Sequence, residues 1–208
     1  NTFFRGFTSQ QNSGLTLAVF VSPILALIIA PLAGKALGKK RAAISIGVLA
    51  FTIAPAPVFA RLLGLLPPNG TEELYYTILF ITVFDIALIV AYQMLAAAMV
   101  ADIVEENELK TGRRSEGVYF AGISFMRKLA QGMGVLSASF ILATASIAPG
   151  MKPEEASAEA IATLGFGYAI MLLTLWTLLL ISVSFYRISR DDHEKNLQAL
   201  AEKRAQEV

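Results

Sequence analysis

Five long apolar runs constrain the fold of this 208-residue chain more than any other feature of its sequence. They extend approximately over residues 14–33, 43–62, 74–100, 118–147 and 160–186. Each run reaches the roughly 20 residues that an α-helix needs to cross about 30 Å of hydrocarbon. Only 16% of the residues are charged and the mean hydropathy is +0.60, whereas about 25% are charged in soluble domains. We therefore predict an all-α, polytopic bundle of about five membrane-spanning helices.

The distribution of lysine and arginine predicts the orientation of these helices, because cytoplasmic loops near the ends of spans carry an excess of both. Twelve of the 17 basic residues follow the first run, follow the third run or lie in the tail. Three lie on the other side, and Arg127 and Lys128 lie inside the fourth run. The prediction is an extracytoplasmic segment (residues 1–13), a transmembrane bundle (14–186) and a charged cytoplasmic tail (187–208). An odd number of spans without a signal peptide leads us to expect further helices upstream.

Two charged residues are predicted to lie near the middle of the membrane. Asp85 is about eleven residues, or ~16 Å, into the third run, and Lys128 lies at a similar depth from the other side. A lone charge there costs ~2.5 to 3.5 kcal/mol, so each side chain should face the other, a water-filled cavity or protein outside this chain. The pair either serves binding or only fixes helix packing. Tyr92 and Gln93 either line the same cavity or pack between helices.

The densest charge lies in the segment "ADIVEENELKTGRRSEGVYF", residues 101–120, between two apolar runs. It is either a solvated connection or a cytoplasmic gate whose carboxylates and guanidinium groups pair in one conformation and separate in another. The candidate gate residues are Asp102, Glu105, Glu108, Arg113, Arg114 and Glu116.

The order of residues in this segment resembles the pattern A-D-x-V-x-x-x-E-x-[KR]-T-G-[RK]-R-x-E-G of glycoside-pentoside-hexuronide:cation symporters, the melibiose permease relatives of the major facilitator superfamily. In that family the segment joins the tenth and eleventh helices. The stretch "PLAGKALGKKRA" resembles the family's turn between helices eight and nine. The resemblance implies that the chain holds helices 8–12 and lacks the N-terminal half of the same transporter. It also implies a location in the bacterial cytoplasmic (inner) membrane.

The same resemblance implies symport of a sugar, glycoside or related polar solute, coupled to H+ or Na+, by alternating access. Lys128 matches a family lysine close to the sugar and cation sites, and Arg114 and Glu116 match the family loop. The chain departs from many sugar-transporting relatives, which have Asp-Tyr at the positions of Glu105 and Glu106. It also departs from the melibiose permease, which has a tryptophan near the position of Gln93. The resemblance therefore leaves the identity of the solute open.

Other classes of function have less support in the sequence. With one histidine and no cysteine, the chain offers no catalytic or metal-ligand set for an intramembrane enzyme, and we expect no cofactor beyond the coupling cation. A net charge of +1 argues against a nucleic-acid partner. The alternative to a transporter is a non-transporting membrane scaffold or receptor. The single histidine, His193, lies in the charged tail and is most simply a solvated residue.

Overall fold

The computed structural model of the chain describes residues 5–113, 115–148, 150–152 and 155–206, without the side chains of residues 190, 203, 204 and 206. Every regular element in these ranges is a helix. The helices are α1 (Ser9–Leu37), α2 (Lys39–Ile53), α3 (Ala56–Leu62), α4 (Glu72–Thr111), α5 (Glu116–Thr144), α6 (Ala158–Ser184) and α7 (Arg190–Gln206).

In the part of the chain that the structure describes, four helical segments are long and apolar enough to cross a membrane, namely α1, α2 together with α3, α4, and α6. They confirm the predicted all-α membrane bundle. Helix α5 has 29 residues, which is long enough to cross, but Arg127 and Lys128 interrupt its apolar sequence and it is not among the four. A fifth crossing by α5 stays a prediction.

Small side chains allow α1 and α2 to pack closely on α4. Four buried residues on α1 recur at every fourth position and form one stripe along the helix, Ala18, Ser22, Ala26 and Ala30. On α4 the buried residues include Ala87 and Ala91. Because the hydrophobic effect does not drive association inside a bilayer, close backbone approach over small residues supplies the packing energy. The core of the described bundle therefore lies between α1, α2 and α4.

Local sequence signals explain where the helices begin and end. Thr71 accepts a hydrogen bond from the backbone N–H of Leu74 at 3.3 Å, and Glu72 and Glu73 occupy the first turn of α4, as the sequence predicts for a capped start. The second apolar run is divided into α2 and α3 just before Pro55, whose ring removes a backbone donor.

Helix α4 is much longer than the membrane is thick. Its 40 residues extend ~60 Å at 1.5 Å per residue, about twice the hydrocarbon thickness. It continues through Thr111 and stops at Gly112, whose φ of 67° is left-handed and favours glycine. Residues 101–111 therefore form a rigid helical extension and not a flexible connection.

The charged tail is also helical and packs on this extension. Helix α7 contacts the end of α4, and its Leu200 is only 5% exposed. At the same end of the bundle, the Nζ of Lys40 at the start of α2 donates to the carbonyl of Ser184 at 2.9 Å. We call this end, where residues 34–41, 101–113 and 184–206 meet, the basic end. The structure thus brings together the three segments that the lysine and arginine distribution places on one side.

Candidate functional site

Asp102 is the centre of an ionic network at the basic end. Its side chain is 2% exposed, and its Oδ1 lies 2.6 Å from the Nζ of Lys39 at the start of α2. Its Oδ2 accepts a hydrogen bond of 2.6 Å from the hydroxyl of Tyr186, just after α6. A buried carboxylate is tolerated only when it is paired and hydrogen-bonded. The network therefore ties three parts of the chain together at one side chain.

Tyr186 serves this network as a donor. Burial, followed by the hydrogen bond to Asp102 and the negative charge of that carboxylate, raises the pKa of Tyr186 above its ordinary value. The charges of Glu106 and Glu105 act in the same direction. The phenol consequently keeps its proton, and the hydrogen bond to Asp102 is maintained over the physiological pH range.

His193 on α7 reaches the same network. Its Nδ1 lies 3.1 Å from the Oδ1 of Asp102 and 3.1 Å from the Oε2 of Glu105. The side chain is 22% exposed, so the prediction that His193 is simply solvated is wrong. Although both distances are short, neither contact is aligned as a hydrogen bond, and Nδ1 and Oε2 are buried without a hydrogen-bond partner among the described residues.

The other predicted gate residues lie at the same end with different surroundings. Glu105, Glu108 and Glu116 line a cavity of about 400 Å³ together with Leu197 and Leu200 of α7. The side chain of Arg113 is exposed, and Arg114 lies outside the described residues. Of the six predicted gate residues, Glu105, Glu108 and Glu116 thus lie together between α4, α5 and α7. Asp102 lies at the same end, where α4 meets α7.

Sequence reasoning missed three members of the network, Lys39, Tyr186 and His193. Lys39 and Tyr186 lie 63 and 84 residues from Asp102 along the chain. No local spacing signals such a contact. The sequence signs were that Lys39 and His193 lie in segments placed on the same side of the membrane as Asp102 and that Tyr186 is the last residue of the run that leads to this side.

A second cavity, of about 580 Å³, opens at the basic end between α1, α4 and α7. Its walls are mainly apolar, and its polar side chains include Lys35, Lys39, Asp102, Tyr186 and His193. The ionic network therefore forms one wall of a space large enough for water or a small molecule.

Inside the bundle, Asp85 lies on α4 with its side chain partly buried. Its Oδ1 is shielded from solvent and has no hydrogen-bond partner among the described residues. The carboxylate interacts electrostatically with Tyr168 of α6, and Tyr168 also interacts electrostatically with Arg5. Asp85 is thus placed in a polar cluster with residues that the sequence did not indicate.

Lys128 does not approach this cluster. Arg127 and Lys128 are both exposed on α5, a helix with no buried side chain in the described structure. Within the described residues, neither one forms an ion pair with Asp85. Of the three partners predicted for Asp85 and Lys128, direct contact with each other is therefore not present in this structure.

Tyr92 and Gln93 point to different surroundings. Tyr92 is 8% exposed and its ring meets Trp176 of α6 edge-on, with 6.3 Å between ring centroids. Gln93 is exposed. Tyr92 therefore packs at the helix interface, which was the alternative interpretation, whereas a cavity position for Gln93 stays a prediction.

These observations define a polytopic helical membrane protein with an ionic network at one end and a carboxylate inside the bundle. A family model described as "MFS/sugar transport protein" matches residues 3–190. The chain belongs to this family, within the major facilitator superfamily. Comparison with curated proteins and with solved structures gave no match. Family membership points to a transporter and not to an enzyme.

Proposed function

We propose that the chain is part of a secondary active transporter that couples H+ or Na+ movement to symport of a sugar, glycoside or related polar solute by alternating access. The observation that carries this proposal is the match to the MFS/sugar transport family over residues 3–190. A non-transporting scaffold or receptor is not favoured, since the matched family consists of transport proteins. The closer relationship to glycoside-pentoside-hexuronide:cation symporters is part of the proposal.

Asp85 supports a role for this bundle in cation coupling. Carboxylates inside membrane spans are costly and are typical of ion and proton pathways. The Oδ1 of Asp85 has no hydrogen-bond partner among the described residues, and it therefore has a lone pair with which to bind a proton or Na+. We propose that Asp85 contributes to the coupling or solute site.

The exposed face of α5 supports the proposal of a second half. A helix of a membrane bundle that carries Arg127 and Lys128 needs a polar surface opposite them, because lipid offers these charges no partner. We propose that the N-terminal half of the same transporter covers this face, and that solute binds between the halves near Lys128 and Gln93.

We further propose that the basic end faces the cytoplasm of a bacterium, across its inner membrane. The positive-inside rule supports this orientation, and so does the meeting of three basic segments at one end. Asp102, Glu105, Glu108, Arg113, Arg114 and Glu116 then lie at the cytoplasmic mouth. The ionic network on Asp102 would hold the helices together in the closed state and would open in the other state.

Uptake into vesicles that contain the intact transporter tests this function. Labelled sugars and glycosides are offered under an imposed proton gradient, an imposed sodium gradient, or neither. We expect accumulation with one gradient and its loss when an ionophore dissipates that gradient. Accumulation that needs neither gradient would contradict symport.

Asp85→Asn provides the residue-level test, and Glu73→Gln is its matched control. Glu73 lies on the same helix, is exposed and undergoes the same change from carboxylate to amide. Asp85→Asn should abolish the response to the gradient, whereas Glu73→Gln should leave it intact. Equal gradient-driven uptake by both variants would remove Asp85 from the coupling site.

A further inference from the structure

We propose that Asp102, Glu105 and His193 form a binding site for a divalent transition-metal ion, which fastens α7 to α4. One ligand atom from each residue lies within 4.8 Å of the other two. The Nδ1 of His193 lies 3.1 Å from an oxygen of each carboxylate. In a tetrahedral zinc site with bonds of about 2.1 Å, neighbouring ligand atoms are about 3.4 Å apart. The two distances from Nδ1 are therefore close to the spacing that a metal ion requires.

Two of these ligand atoms form no hydrogen bond in the described structure, although they lie 3.1 Å apart. The Oε2 of Glu105 and the Nδ1 of His193 are shielded from solvent and have no hydrogen-bond partner among the described residues. Buried polar atoms without partners are unfavourable. A cation bound between these two atoms would satisfy both. This pair of shielded atoms without hydrogen bonds, and not the presence of acidic residues alone, indicates a ligand.

The third ligand is held in position by its own contacts. The Oδ2 of Asp102 accepts the hydroxyl of Tyr186 and its Oδ1 is paired with Lys39. Such outer contacts orient metal ligands and tune their affinity. The ammonium of Lys39 also adds positive charge next to the site and therefore weakens metal binding. Asp102, Glu105 and Lys39 together carry a net charge of −1, which still favours a cation.

The donor set selects the class of metal. Imidazole nitrogen is a ligand for zinc, copper, iron and nickel, whereas magnesium and calcium prefer sites made only of oxygen. Asp102 and His193 line the cavity of about 580 Å³ at the basic end, so a water molecule has room to serve as a fourth ligand. Three protein ligands and one water is the arrangement of zinc sites that keep an open coordination position.

Zinc titration of the intact protein in lipid nanodiscs tests the site. The protein is purified through a tag without histidine, and all variants are titrated at the same pH and ionic strength. The chain has one histidine and no cysteine, so the difference between wild type and His193→Gln isolates a single imidazole. We expect His193→Gln and Glu105→Gln each to weaken zinc binding by about tenfold or more, since even loss of an outer contact costs about 10- to 100-fold.

Two neighbouring substitutions serve as matched controls. Asp191→Asn changes an exposed carboxylate on α7. Glu106→Gln changes the neighbour of Glu105, and the side chain of Glu106 pairs with Lys110. Both should leave zinc affinity unchanged. Glu105→Gln tests the proposal even if His193→Gln disturbs the packing of α7.

Several outcomes would overturn the metal site. Wild type that does not bind zinc would refute the site. The site would also be refuted if wild type, His193→Gln and Glu105→Gln bound zinc with equal affinity. Displacement of zinc by an equal concentration of Mg2+ would indicate a diffuse acidic surface, and would also refute the site.

Discussion

Replacing Asp102 with alanine removes the acceptor on which two hydrogen bonds converge at the basic end. The hydrogen bond from Tyr186 to the carboxylate is buried, and hydrogen bonds to charged groups contribute about 1.5–3 kcal/mol. Lys39 is 34% exposed and regains water when its partner is lost, so its pair adds only about 0.2–1 kcal/mol. We therefore expect Asp102→Ala to lower the free energy of unfolding by about 2–4 kcal/mol, or roughly 30- to 900-fold in the equilibrium constant.

Tyr186→Phe isolates one of the two bonds. It removes only the hydroxyl and leaves the Oδ2 of Asp102 buried without its donor, so we expect a loss of about 1.5–3 kcal/mol. Tyr76→Phe is the matched control, because it removes the same group from a side chain that is 61% exposed at the other end of α4. The free energy of unfolding of Tyr76→Phe should stay within about 0.5 kcal/mol of the wild-type value.

Unfolding in mixed detergent micelles measures these losses. Trp176, the single tryptophan of the chain, contacts Tyr92 in the core, and its fluorescence should report separation of α4 from α6. The reasoning would be refuted if Asp102→Ala and Tyr186→Phe lowered the free energy of unfolding by no more than Tyr76→Phe does. Asp102 would then be a solvated end group that does not stabilise the bundle.

The remaining predictions concern transport, accessibility and pH. Lys128→Met should abolish uptake by the intact transporter without loss of folded protein, and uptake at the wild-type rate with unchanged ion dependence would contradict a binding role. A cysteine in place of Asp85 should be protected from lipid-soluble reagents, and strong labelling from the lipid phase would count against a site facing protein or a cavity. Arg114→Ala should slow turnover and increase labelling of the cavity from the basic end, with a smaller change in solute affinity; unchanged labelling with normal transport would identify 101–120 as a simple connection. Because burial raises the pKa of Tyr186 in the folded protein, its stabilising effect should be present below its ordinary pKa of about 10 and decrease as the pH rises beyond that value. Unfolding curves of wild type should show this decrease in stability, and those of Tyr186→Phe should lack the part of the decrease that comes from the Tyr186 hydroxyl.

Hydropathy by itself determined that this protein is an all-α membrane bundle. About 20 consecutive apolar residues can satisfy their backbone groups in lipid only as a helix or within a closed barrel, so runs such as 74–100 limit the fold without knowledge of any contact. The start of α4 after Thr71 could also be predicted from the sequence, because a helix cap involves only residues about three positions apart. The order of residues in 101–117 predicted the superfamily, which the family match confirms.

Only the tertiary structure decided which side chains meet. Asp102 pairs with Lys39 and Tyr186 across 63 and 84 residues of sequence, and such pairing depends on the relative rotation and height of the helices. A shift of one residue turns a helix by about 100°, which is enough to separate Tyr92 in the core from exposed Gln93 next to it. For the same reason equal depth did not bring Asp85 and Lys128 together. Depth in the membrane follows from sequence position, whereas the direction in which a side chain points depends on helix packing.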